Sequence, residues 1–472
     1  MKKIVFSVFT ALLAFTASAD DFKTQGDGTV WTLSRLATVA ESGVTNAGKT
    51  FTLTKNVEIA SGDRFEIEGG IKVLMGDNVR LTLSGEADFC ADERVLFTSA
   101  SPEDRPYGIF ADCDEAVISF AHIDFEYAGL RNFGTRGLNV DDCTFRWHNG
   151  VSGASALNLG TNGAVFTITR CTFEDCQRSA INNAANYLNP VVIEHCTFTG
   201  NGTLNQNAPQ INLTVSGNTV IRNNVITGNP ALDKVGGIVV SNLVGLTGTL
   251  NTVIEGNDIR NNRFGIAVYC EQHAVIRNNT IIDNKYEPIP NNGGSGINIY
   301  DPYKTQTAMI TGNYIEGNLW GITVIGGKDI NIGKTENKDA DDYNPGHNVF
   351  LNNGNGGVIY DLYNNSANTV YAQGNYWKSV DVQDTEHIES VIFHKNDDAK
   401  LGEVIFMPAL PEEPTAILET LASGEIKCVE VYTLDGVKAA TLKQADLSGL
   451  APGLYTLRIL TDKGAITRKV AR

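Results

Sequence analysis

Apolar residues in the middle of this chain recur in short period-two pairs, not in long runs. In "GNDIRNNRFGI", residues 256–266, Asn257 and Ile259 stand two apart, Asn262 follows, and Gly265-Ile266 opens a pair that Val268 completes. The same offsets return in "GNYIEGNLWGI" with Asn313, Ile315, Asn318, Gly321, Ile322 and Val324. Alternation this brief predicts short half-buried strands, and the Asn and Gly between them predict turns.

The first pair forms a series: Asn224/Ile226, Asn257/Ile259, Asn279/Ile281, Asn313/Ile315, Asn348/Phe350 and Asn375/Trp377. Toward the N-terminus Cys takes the Asn place at Cys143/Phe145, Cys171/Phe173 and Cys196/Phe198, with Ile123/Phe125 as a further copy. Copies are 20 to 35 residues apart, which suits stacked coils with loops of different length. A second Asn follows at Asn201, Asn229, Asn262, Asn284, Asn318 and Asn353, and Cys176 holds that place in its own rung. A third strand is expected to open at Gly237-Ile238, Gly265-Ile266, Gly296-Ile297, Gly321-Ile322 and Gly357-Val358.

Three short strands per coil, stacked about 4.8 Å apart, describe an all-β solenoid, a parallel β-helix. Like residues then lie above one another inside the tube. An Asn at a bend tolerates a left-handed backbone, and its amide can donate to the next coil's carbonyl, so Asn224, Asn257, Asn279, Asn313, Asn348 and Asn375 should form an inward ladder. Cys143, Cys171 and Cys196 should continue it as small buried side chains. A metal at these cysteines lacks companion ligands at matching spacing, while disulfide pairing stays open.

At the ends, residues 33–42 can form a short amphipathic helix over the first coil, and an open coil edge needs such a cover. From "GNYW" at residues 374–377 through residue 410 the ending resembles that of bacterial right-handed β-helix repeat proteins. The resemblance covers roughly residues 60–410, and its motifs are structural. The "PALPEEP" stretch at 408–414 reads as a stiff linker to short β-rich runs, a small β-sandwich. The expected organisation is thus 1–19 leader, 20–60 N-terminal cap, 61–410 β-helix and 411–472 sandwich.

The leader expectation rests on Lys2 and Lys3, the apolar run from Ile4 to Phe15, and the small residues Ala17-Ser18-Ala19. No apolar run is long enough to span a bilayer. The run Leu447-Ser448-Gly449-Leu450-Ala451-Pro452-Gly453-Leu454-Tyr455, before a basic C-terminus, resembles the sorting domain of type IX secretion cargo from the Bacteroidota. That resemblance implies export through the periplasm, engagement of the type IX machinery, and release or attachment at the outer cell surface. With 37 basic and 54 acidic residues the chain carries −17, which argues against nucleic acid as a partner.

Candidate chemistry is sparse. Asp141-Asp142 resembles the paired aspartates of polygalacturonases, but that family's Asn-Thr-Asp, Gly-His-Gly and Arg-Ile-Lys signatures are missing, and both read as outward or turn residues. The Arg-x-Pro-x-x-Arg motif of pectate lyases is also absent, so no catalytic set is assigned and enzymatic activity is left open. Asp339, Asp341, Asp342 and Asn344 offer oxygen ligands suited to Ca²⁺, although the spacing matches no EF-hand loop. Counting four residues from each third-strand Gly reaches Ser241, Tyr269, Tyr300, Ile325 and Asp361, which alternation points outward. Tyr269 and Tyr300, with Glu271 and Asp301 just beyond, pair aromatic faces with carboxylates in the manner of a sugar-binding surface. The leading expectation is an exported polysaccharide-binding protein; the alternatives are a structural adhesin or spacer, then a polysaccharide lyase or glycoside hydrolase.

Overall fold

The computed structural model describes residues 21–471 except 115, 161–162, 184–187, 215–216, 243, 246, 249, 271–272, 304, 415–425, 434–437, 443–453 and 462–463. The leader and most of the Leu447–Tyr455 run lie outside these residues. The chain forms two compact units, Met1–Ala409 and Leu410–Arg472.

The first unit is a parallel β-helix. One coil runs Thr219–Arg222, Val225–Thr227, Ile238–Ser241; the next runs Asn251–Glu255, Asp258–Arg260, Ile266–Tyr269; the next runs His273–Arg277, Thr280–Ile282, Ser295–Asp301. Each strand pairs in parallel, in register, with its counterpart one coil on. The third strands build one 14-stranded sheet. Because register is fixed, side chains fall into files: Ile226, Ile259, Ile281 and Ile315 in one, Ile238, Ile266, Ile297 and Ile322 in another, all fully buried. Toward the N-terminus the first file becomes aromatic. Phe125, Phe145, Phe173 and Phe198 stack face to face at 4.8–4.9 Å between centroids.

The amide ladder forms as the offsets predict, with one change of geometry. The left-handed residue at each bend is the one before the ladder position: Asp142, Arg170, His195, Asn223, Asn278 and His347 all have φ between 47° and 57°. The ladder Asn itself points inward. Asn257 Nδ2 donates to Ile221 O of the preceding coil (2.9 Å) and to Asn279 Oδ1 of the following one (2.9 Å). Its Oδ1 accepts from Asn224 N and Nδ2. The pattern repeats through Asn279, Asn313 and Asn348 to Asn375. Thiols imitate it. Cys196 N donates to Asn224 Oδ1, Cys171 N to Cys196 Sγ, and the Cys171 and Cys196 thiols donate to Val140 O and Ile168 O. Cys143, Cys171 and Cys196 are buried free thiols, and burial pushes those of Cys143 and Cys171 well up.

A second ladder departs from the expected file at one rung. Asn229 is exposed and caps its own turn, while Gln210 reaches in from a loop: Asn201 Nδ2 donates to Gln210 Oε1, and Gln210 Nε2 to Asn262 Oδ1, both at 2.9 Å. The longer side chain spans the gap that the turn at 228–232 opens. Asn284, Asn318 and Asn353 continue the file. It ends on Asp361, whose Oδ1 accepts from Asn353 N and Nδ2. Asp361 is thus buried, not outward, and the strand expected at Gly357-Val358 is instead Leu362–Asn364, paired as Ile322 with Leu362. Residues 354–359 form a small antiparallel hairpin that displaces the register by four.

Of the helix expected over residues 33–42, Leu33–Leu36 is helical and Ala40–Ser42 is a 3₁₀ turn; Leu33 and Leu36 are buried. Strands Phe22–Lys23 and Val30–Trp31 already pair with Val57–Ile59 and Arg64–Glu66, so coil pairing starts near residue 22. Asp63 organises this end. It accepts from Gly26 N, Gly28 N, Thr29 N and Trp31 Nε1. In the second unit the described strands make one four-stranded antiparallel sheet.

Three substitutions test the ladders. Asn257→Leu removes an acceptor from two donors and leaves Ile221 O without its amide, a loss of roughly 3 kcal/mol read by thermal melting. Cys171→Ala should cost about 1–2 kcal/mol, and equal melts for parent and Asn257→Leu would refute the inward placement. Burial raises the Asp361 carboxyl to about 6, against hydrogen bonds from Ser379 and Asn353 that lower it. A raised acid disfavours folding increasingly as pH climbs from its unfolded value toward 6. The stability of Asp361→Asn relative to the parent should therefore rise by on the order of 2–3 kcal/mol between pH 3.8 and 6.5. A flat difference across a calorimetric pH series would contradict it.

Candidate functional site

The expected tyrosine pair forms. Tyr269 and Tyr300 are direct partners on adjacent coils, half-buried, with ring centroids 5.6 Å apart and planes at 79°. Edge-to-face packing leaves no shared flat face. Burial raises the Tyr269 hydroxyl pKa, opposed by Arg263. Asp301 is not available to a ligand. It is fully buried, Oδ1 accepts from Tyr303 N (2.9 Å) and Oδ2 from Thr305 N and Gln306 N (2.6 Å each), so it ties off the following turn. Glu271 lies outside the described residues.

The expected Ca²⁺ loop does not assemble. Asn344 is buried, donates to Ile310 O and Asn331 O, and accepts from Gly346 N. Asp342 pairs with Lys334 at 2.5 Å, while Asp339 and Asp341 are exposed. Among the described residues no three acidic, His or Cys side chains are grouped to hold a metal. Asp141 and Asp142 are spent on Arg170 and Arg94.

A different place gathers groups suited to a ligand. At the second bend of most coils, that at Gly228 excepted, one residue is left-handed: Asp175, Asn261, Asp283 and Asn352 at φ 49–60°, and Gly200 and Gly317 at φ 62–66°. Short polar residues and glycine adopt this conformation at little cost. Two adjacent coils place Tyr127 (φ 63°) and Trp147 (φ 53°) there instead. Bulky residues in this region are genuine outliers, costing on the order of 1–3 kcal/mol, and such strain concentrates where function holds it. The rings are 39% and 40% exposed and sit side by side, 5.6 Å between centroids.

They border a groove of about 390 Å³ whose other walls are Pro102, Asp104, Arg105, Asn149, Asp175, Gln177 and Thr203. The chain from Asn149 to Gly153 arches over the neighbouring sheet, where Arg131 Nη2 donates to Val151 O (2.7 Å) and the guanidinium stacks on Tyr107 and Phe110. Asn149 is buried. Its Oδ1 accepts from Val151 N, and its Nδ2 has no partner among the described residues. Behind it His148, fully buried in the second ladder's file, is kept neutral with a pKa near 3 by burial and then by Arg131 and Arg178. Burial and Glu174 raise the Asp175 carboxyl. The sequence carried a signal for this groove: one place before the second ladder, Tyr127 and Trp147 break a file of Asp, Gly and Asn.

A further aromatic surface lies on the outer face of the long sheet. Trp320, Tyr360, Tyr363 and Phe393 are half-buried, with neighbouring centroids 4.7–6.3 Å apart. Its rings cover one another along the strands, as in ordinary cross-strand support.

No curated protein matches the chain by sequence. Among solved structures the chain is similar to the periplasmic alginate epimerase AlgG, with 13% identity, 81% of each chain covered and a TM-score of 0.49. Two single-substitution variants of that epimerase align at 12% and 11% identity with TM-scores of 0.46 and 0.48. A family model described as a right-handed β-helix region matches residues 203–338, and with the coil geometry above it identifies the first unit as a right-handed parallel β-helix.

Proposed function

We propose that this is an exported, carbohydrate-associated protein that binds polysaccharide in the groove beside Tyr127 and Trp147. The observation that carries the reading is the pair of exposed rings held in an unfavourable backbone on adjacent coils. Aromatic faces stack on the C–H faces of pyranoses, and the surrounding carboxylates and amides suit hydroxyls. Ring spacing close to the coil repeat gives a surface long enough for one or two sugar units. The Tyr269–Tyr300 pair is a lesser contact surface in the same reading.

A file normally occupied by Asn, Asp or Gly gives the test its form. Trp147→Asn should melt at or above the parent, since Asn accepts the left-handed backbone, yet lose about 1 kcal/mol or more of glycan affinity. The full chain is first applied to a glycan array, and both proteins are then titrated by calorimetry against a hit. A drop in melting temperature with unchanged affinity would make the ring a structural support. Absence of any glycan hit would favour the adhesin or spacer.

Export is proposed from the leader features at 1–19 and the run Leu447–Tyr455, with type IX machinery as the partner that the resemblance implies. Material recovered outside the cell should begin at Asp20 and lack the residues after the 408–414 linker. Intact-mass and N-terminal analysis decide this, and secreted chains that retain both ends would count against it.

A further inference from the structure

The groove's charges bear on which glycans it can take. Asp104 and Asp175 both line it, and neither carboxylate has a basic partner within ion-pair distance among the described residues. Arg105 is the one cationic side chain of the lining. Beside the groove, Arg146 is already paired with Glu174 at 3.0 Å. Asn149 is 8% exposed, and its Nδ2 is a buried donor with nothing to donate to. A buried unpartnered donor calls for an acceptor from outside, because leaving it unpaired costs free energy.

We infer that the groove takes an uncharged glycan, with sugar hydroxyls donating to Asp104 and Asp175 and a sugar oxygen, hydroxyl or amide carbonyl, accepting from Asn149 Nδ2. This rests on the carbohydrate reading above and narrows its ligand class. A polyuronate would bring one carboxylate per sugar against two unpaired carboxylates and a single guanidinium. Each like-charge contact at close range is unfavourable, and more so beside a protein surface than in bulk water. The chain's overall −17 adds long-range repulsion. Neutral hydroxyls meet no such penalty, and Tyr127 and Trp147 stack without regard to charge.

The full-length protein is titrated against neutral polymers (glucan, mannan, galactan, xylan) and against polygalacturonate and alginate, each at 0.05 and 0.5 M NaCl, with and without 2 mM CaCl₂. The expected result is binding to at least one neutral polymer that changes less than twofold between the two salt concentrations. Asn149→Ala should weaken it about tenfold, and Asp104→Asn with Asp175→Asn should weaken neutral binding while relaxing the discrimination against the polyuronates, because the repelling carboxylates are gone and Arg105 remains. Both variants are checked for a parental melt. Asn149 also caps Val151, so Gln177→Ala serves as a second lining variant if Asn149→Ala misfolds. Binding confined to polyuronates, whether salt-sensitive or calcium-dependent, overturns the uncharged ligand and leaves carbohydrate binding intact. Failure of every polymer overturns both.

Discussion

From Cys143 to Asn375 the coils of this protein must satisfy polar backbone groups at two bends that face a dry interior, and the ladders are how they do so. A bend interrupts the strand pairing, leaving N–H and C=O groups that water cannot reach. One inward amide per bend resolves this, because its oxygen accepts from the coil before while its nitrogen donates both backward and forward. Each amide is partner to the next, so a change at one rung is felt by both neighbours. The strict in-register stacking of the isoleucine and phenylalanine files follows from that coupling, since a slipped coil would unpair both ladders at once.

Thiols replace amides in this role at Cys171 and Cys196, with longer and weaker bonds in the same directions. The exchange coincides with the change from Ile to Phe in the adjoining file. Stacked rings fill more of the tube, and the smaller ladder side chain fits beside them. Burial keeps the thiols of Cys143 and Cys171 protonated, so their chemistry is that of hydrogen-bonding core groups.

The ladders were legible because stacking imposes fixed offsets on the sequence: Asn257, Ile259 and Ile266 stand in the same relation as Asn313, Ile315 and Ile322. Legibility ended where a loop supplied the residue. Gln210 enters its file from a different part of the coil than Asn229 would, and local spacing holds no record of that. The hairpin at 354–359 likewise moved a strand start from Val358 to Leu362. For the candidate site, alternation put Tyr269 and Tyr300 on neighbouring coils but could not show their rings meeting edge to face, nor Asp301 turning back to close its own loop. Alternation within one coil carries no mark of the groove, because Tyr127 and Trp147 stand out only against the Asp, Gly and Asn of the same file in other coils.

Where chain length varies is itself informative. With the exception of residues 334–346, the first bend is one left-handed residue followed by a ladder residue in coil after coil, while length differences collect after the second bend and after the third strand. The first bend therefore acts as a spine that fixes register, and the other two edges are open to insertion. A loop can be lengthened there, or exchanged for another, without breaking the spine's hydrogen bonds. Grafting a foreign segment at 229–236 or 285–294 should thus be tolerated far better than inserting one residue between Asn278 and Thr280, which makes this solenoid a ruler with graduations about 4.8 Å apart on which new surfaces can be mounted.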